Sequence, residues 1–130
     1  MIKLSLNTSK RVEFVDITSM IQKSLEKEGV KNGGCIVHVP HTTAAVTINE
    51  NADPDVVRDI SHTLEKIVPE NWNYHHSEGN SDAHIKSSML GCSLYLIIEN
   101  GSLQLGTWQG VYFCEFDGPR SRQVWIQFLQ

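Results

Sequence analysis

Cys92–Gln130 reads CSLYLIIENGSLQLGTWQGVYFCEFDGPRSRQVWIQFLQ. Three runs rich in aliphatic and aromatic residues are divided by two turn signals, Asn100-Gly101 and Gly118-Pro119-Arg120-Ser121. Asn-Gly supplies the positive φ angles that a two-residue hairpin needs, so the first two runs are expected to pair antiparallel. The first run, CSLYLIIE, is apolar on both faces of its pleat and reads as a buried strand. A chain that closes on three such strands belongs in a mostly antiparallel sheet system.

The same logic extends backwards. Ile2, Leu4 and Leu6 alternate with Lys3 and Ser5, and Val12 and Phe14 continue after the polar turn NTSK, which predicts an N-terminal hairpin. Ile17, Met20, Ile21 and Leu25 recur at helical spacing, and Gly29 stops the helix. A turn at Lys31-Asn32-Gly33-Gly34 leads into the strand CIVHVP, ended by Pro40, and Ala44–Ile48 makes a further extended piece. Asp53-Pro54 starts a second helix, with Asp as N-cap and Pro where its missing N–H costs nothing. Val56, Val57, Ile60, Leu64 and Ile67 form its apolar stripe, and Pro69 ends it. Residues 70–83 contain almost nothing apolar and read as a long loop. The order is ββαββα-loop-βββ: one α+β domain over 1–130, mostly antiparallel, with two main helices.

Composition narrows the function classes. With 130 residues, one hydrophobic core suffices without staples. A net charge of -4 and the lack of a Lys/Arg run argue against a nucleic-acid or anionic-lipid binder. Cys35, Cys92 and Cys114 form no CxxC pair and read as buried reduced thiols. No apolar run approaches membrane-spanning length and no signal-peptide core is visible, so a cytosolic protein is expected.

Histidine carries the chemical signal. His41 opens HTTAAVTINENADPD at the end of a strand, where two threonines and an acid–amide run follow it. His76 and His84 lie in NYHHSEGNSDAHIKSSMLG, either as site residues or as solvated loop histidines. His38 sits between apolar neighbours and reads as a packing residue, and His62 as solvent-facing. Asn49 and Glu50 begin a polar cluster. Asp53 and Asp55 have structural roles at the helix start, which leaves Glu50 as a general base or as the partner of a bound histidine. Lys86, Arg120 and Arg122, with neighbouring serines, are candidates to receive an anion. Trp108 and Gln109, between Gly106 and Gly110, line a pocket or pack in a bent strand.

Taken together, HTTAAVTINENADPDV, NYHHSEGNSDAHIKSSMLG and LGTWQGVYFCEFDGPRSR resemble the YjbQ family, often labelled secondary thiamine-phosphate synthase, over essentially the whole chain. The resemblance implies a compact, strand-rich homotrimer in which His41, His76 and His84 lie close together, within a subunit or across an interface. They would hold a divalent metal, zinc being the natural choice for three imidazoles. It implies a metal-assisted transferase joining a pyrimidine diphosphate to a thiazole phosphate. His41, His84 and Glu50 would be catalytic, and Asn49, Lys86, Trp108, Gln109 and Arg120 would bind a phosphorylated small molecule. Metal-dependent hydrolysis, or a metal- or small-molecule-binding module without turnover, are the alternatives. No DDxxD motif is present.

Overall fold

Alternation along the strands sorts side chains into two apolar layers. The computed structural model describes all residues, Met1–Gln130. The elements are β1 (Ile2–Asn7), β2 (Glu13–Asp16), α1 (Thr18–Glu28), β3 (Gly33–His38), β4 (Ala44–Glu50), α2 (Pro54–Ile67), α3 (Ser81–Leu90), β5 (Ser93–Glu99), β6 (Ser102–Gln104), β7 (Gln109–Glu115) and β8 (Ser121–Leu129). They form a five-stranded sheet of order β1-β8-β3-β5-β6 and a three-stranded sheet of order β2-β7-β4. All pairings are antiparallel.

The two faces of β4 and β7 explain the layering. Ala44, Val46, Val111 and Phe113 point into a core shared with β3, β5, β8 and the apolar side of α1, with Ile17, Ile21, Leu25, Val37 and Ile126 fully buried. Ala45, Tyr112, Cys114 and Phe116 point the other way, into a second core with Leu64 of α2 and Ala83 of α3. The order of layers is therefore the five-stranded sheet, the main core with α1, the three-stranded sheet, then α2 and α3. No helix covers the outer face of the large sheet, where Tyr95 and Ile97 remain 65% and 64% exposed.

Local signals held at several ends. Asp53 Oδ1 accepts from the Asp55 N–H at 2.9 Å, with Pro54 opening α2. Gly29 ends α1 at φ 70°. Asn100 and Gly101 both have positive φ between β5 and β6.

Five expectations need correction. The second of the three C-terminal runs is not one strand: it divides into β6, which pairs with β5, and β7, which joins the other sheet between β2 and β4. β1 and β2 do not form a hairpin. β1 pairs with β8 and β2 with β7, because the segment between them carries the chain from one sheet to the other. There are three helices, since residues 81–83 begin α3 instead of ending a loop. The inward side of α3 is Ser81, Asp82, Ala83, Lys86 and Ser87, so apolar periodicity gives no sign of it. His38 is not core: it lies half-exposed on the outer sheet face, with Nδ1 2.6 Å from Ser93 Oγ and its ring 5.8 Å from Trp125. Cys92 is exposed, unlike Cys35 and Cys114.

Candidate functional site

Strand ends bring the site together. β3 ends at His38, and Pro40 turns the chain so that His41, Thr42 and Thr43 cross to the start of β4. β7 ends at Glu115, and the turn through Asp117 places Arg120 and Arg122 at the start of β8. The loop after α2 delivers Glu78 and Asn80, and the first turn of α3 delivers His84. These groups line one cleft of about 380 Å³ with no hydrophobic residue in its wall.

Carboxylates orient both arginines. Arg120 donates from Nε to the Asp117 carbonyl at 2.7 Å and from Nη2 to Asp117 Oδ2 at 2.9 Å. Asn80 Nδ2 donates to the same carboxylate at 2.9 Å. Arg122 donates from Nε to Glu115 Oε1 at 2.8 Å and from Nη2 to Thr43 Oγ1 at 2.8 Å and to Glu115 Oε2. Glu115 is fully buried and also accepts from Thr8 Oγ1 at 2.8 Å. Against the cost of burial, the bonds from Arg122, the Asp117 N–H and Thr8 hold its carboxyl below the ordinary value. In each arginine Nη1 keeps no partner within the chain.

The histidines are not equivalent. His41 Nε2 accepts the Gln123 N–H at 3.0 Å, which places the ring proton on Nδ1 of the neutral form. Burial, and then the Arg122 charge, lower the His41 pKa from the ordinary 6.5. His84 lies half-buried on α3, edge-on to His76 with ring centroids 5.4 Å apart. His76 Nε2 faces Glu78 Oε2 at 3.6 Å. Asn80 Oδ1 and Ser81 Oγ, at the head of α3, are buried without a hydrogen-bond partner. The N–H groups of Ser81 and Asp82 donate to nothing, whereas those of Ala83 and His84 both reach Asn80 O.

The residues singled out from sequence separate into two groups. His41, His84 and Arg120 share the cleft, with His76 edge-on to His84. Asn49, Glu50, Trp108 and Gln109 gather at the far end of the β4–β7 pair, where Glu50 is paired with Gln109 in register. From Ala44 to Glu50 the strand advances about 20 Å, so Glu50 does not reach the histidines within the chain. Its Oε2 accepts from the Asp53 N–H at 3.3 Å, a local structural contact. Lys86 is turned away from the cleft and is fully buried, held by Asp82 at 3.0 Å and by Glu65. An incoming phosphate cannot reach it. Asn80 and Asp117 were missed, because single amides and acids in polar turns carry no local signal.

The layers and the cleft define the class: a small two-sheet α+β protein with a histidine–arginine site at its strand ends. The chain belongs to the UPF0047 protein YjbQ-like family, whose model matches residues 2–130. It is 53% identical to the UPF0047 protein MJ1081 of Methanocaldococcus jannaschii over 98% of this chain and 92% of that one. It is 48% identical to the UPF0047 protein YugU of Bacillus subtilis, covering 97% and 96%. A crystal structure from Clostridium acetobutylicum, described as an uncharacterised conserved protein of the YjbQ/UPF0047 family, superposes with a TM-score of 0.97. That protein is 54% identical, with 99% of this chain and 100% of that one covered. A YbjQ-like protein of unknown function from Sulfolobus solfataricus, 31% identical, gives 0.92 over 97% and 93%.

The family resemblance is borne out; the activity attached to it is not. None of these relatives is described as a thiamine-phosphate synthase, a transferase or a zinc protein. No group of three or more His, Cys, Asp and Glu side chains is arranged to hold a metal ion. His41 Nε2, the lone pair a metal would need, is already engaged by Gln123. The metal-assisted thiamine-phosphate reading, its hydrolase alternative and the zinc assignment are therefore corrected.

Proposed function

We propose that the cleft binds a small phosphorylated metabolite and that His84 moves a proton at the bound group. One observation carries this: four chain segments deliver Arg120, Arg122, His41, His84, Asn80 and two threonines to a single cavity with no apolar lining. Planar guanidinium groups match phosphate oxygens, and the carboxylates behind them fix their direction before a ligand arrives. Nη1 of each arginine is the donor left for the ligand. His41, neutral and with its proton on Nδ1, is a hydrogen-bond donor in a fixed tautomer. The free N–H groups at the start of α3 favour negative charge nearby. His84 has no such tautomeric restraint and is the side chain of the cleft suited to exchange a proton.

Calorimetric titration with inorganic phosphate tests this. Arg120→Gln is expected to weaken binding by roughly 10- to 100-fold, the range for a charged hydrogen bond. Titration in two buffers of different ionisation enthalpy should show proton uptake that His84→Gln removes. Absence of saturable binding, or identical proton uptake in His84→Gln, would count against the reading.

Self-association as a trimer is part of the same proposal. What supports it is the uncovered sheet face with Tyr95, Ile97 and Trp125, on the opposite side of the molecule from α2 and α3, together with the family resemblance. An apolar face of this kind is a normal place for copies of a chain to pack.

A further inference from the structure

The polar cleft is not closed at His84. The same imidazole lines a second cavity of about 360 Å³, with His76, Ser81 and Tyr74 in its wall. Tyr74 and Ile85 in turn line a third, of about 440 Å³, whose wall includes Ile67 and Trp72 and is mostly apolar. The three cavities adjoin through these shared wall residues, and the lining changes from wholly polar in the first to mostly apolar in the third. Its apolar end is preformed. The Tyr74 hydroxyl donates to the Pro69 carbonyl at 2.5 Å, and the Tyr74 N–H donates to Trp72 O at 2.9 Å, so the aromatic wall is tied to the end of α2. Trp72 is 73% and Ile67 60% exposed, although Ile67 continues an apolar stripe in which Val57, Ile60 and Leu64 pack inward. In the middle cavity, Ser81 Oγ is buried and lacks a partner. An unpartnered hydroxyl in the wall of this middle cavity is a group left for a ligand.

We infer that the ligand of this site is amphipathic: an anionic head in the histidine–arginine cleft, a polar link passing Ser81, and an apolar body against Tyr74, Ile85, Ile67 and Trp72. This rests on the anion-binding reading of the cleft and adds the class of molecule that the cleft selects. The shared wall at His84 points to the occupant. Beyond His84, the apolar surface that adjoins the cleft is this groove. Burial of an apolar body there supplies affinity that a bare anion lacks.

The test compares inorganic phosphate with 4-phenylbutyl phosphate, which carries the same head on an apolar body long enough to cross the middle cavity. Dissociation constants are measured for the full chain, for the double variant Ile67→Ser/Trp72→Ala, and for Arg120→Gln. Both groove residues are exposed, so the double variant is expected to fold, and thermal melting checks that it does. The full chain should bind 4-phenylbutyl phosphate about 10-fold or more tighter than phosphate. The double variant should lose that preference while its affinity for phosphate stays the same. Arg120→Gln should weaken both ligands in parallel. Equal affinity of the full chain for both probes overturns the inference and leaves the anion-binding cleft standing, as does a preference that survives the double variant. A double variant with altered oligomeric mass also overturns it, because a second copy then covers the groove. Failure of both probes to bind removes the cleft reading itself and this inference with it.

Discussion

At the scale of single residues, the cleft depends on charges that are neutralised from behind. Glu115 and Arg122 are a buried pair, and removal of one partner leaves the other charged in a dry setting. Arg122→Met should therefore lose about 3–5 kcal/mol of stability in denaturant unfolding. A cost under about 1 kcal/mol would mean that water reaches Glu115. The same group shapes acid sensitivity. With its folded-state pKa held down, Glu115 contributes stability that is present above the ordinary carboxylate range and is lost as pH falls through the lowered value. His41 acts at higher pH. Its lowered pKa means that the unfolded chain binds the proton more readily, so its contribution is full above 6.5 and is lost as pH falls below that value. His41→Gln should flatten the fall in stability between about pH 7 and pH 5, and NMR should place the His41 midpoint below 6.5. A midpoint above 6.5 would show that burial and the Arg122 charge do not govern this ring.

At the scale of elements, α3 is the least legible part of the chain and the one that positions the site. It carries His84 and is secured mainly by charge, with Ala83 and Leu90 its only apolar contacts to the second core. Asp82, fully buried, accepts from Arg11 at 2.9 Å and from Lys86 at 3.0 Å. Against burial, these bonds hold its carboxyl below the ordinary range. Asp82→Ala would leave Lys86 buried with only Glu65, so a loss of about 3–5 kcal/mol is expected. Amide exchange within α3 should also rise well before exchange in β7. Uniform exchange across both elements would show that α3 does not open on its own. Sequence patterning found α1 and α2 because their caps and apolar spacing are local. It missed α3 because Asp82 and Lys86 look like surface residues until Arg11, 71 positions from Asp82, arrives beside them.

At the scale of the whole molecule, the bare outer face of the five-stranded sheet sets the expected assembly. Tyr95 and Ile97 stand out from β5 beside the His38–Trp125 contact, with no helix above them. Sedimentation equilibrium should give three times the chain mass, and Ile97→Lys should shift the protein towards single chains without changing its melting temperature in dilute solution. A wild-type mass of one chain would remove the trimer. The groove of Ile67 and Trp72 lies across the molecule from this face, so the variant should keep the affinity of the cleft for phosphate.

The sequence by itself determined the strands β5 and β8, the helices α1 and α2 with their caps, the antiparallel α+β class and family membership. The elements are written in periodicities and turn residues a few positions apart, and the family in three long motifs that resemble it. Only the tertiary structure decided which strands pair, since β1 and β2 carry the alternation of a hairpin yet join different sheets. It also decided that His41, His84 and Arg120 share a cleft while Glu50, Trp108 and Gln109 lie about 20 Å away at the other end of β4. The physical reason is the period of the strand. Alternation tells which face a side chain takes, but its position along the sheet is set by register with partners far away in the chain. For Lys86, Asp82 and Glu115, burial followed from oppositely charged partners that no local pattern announces.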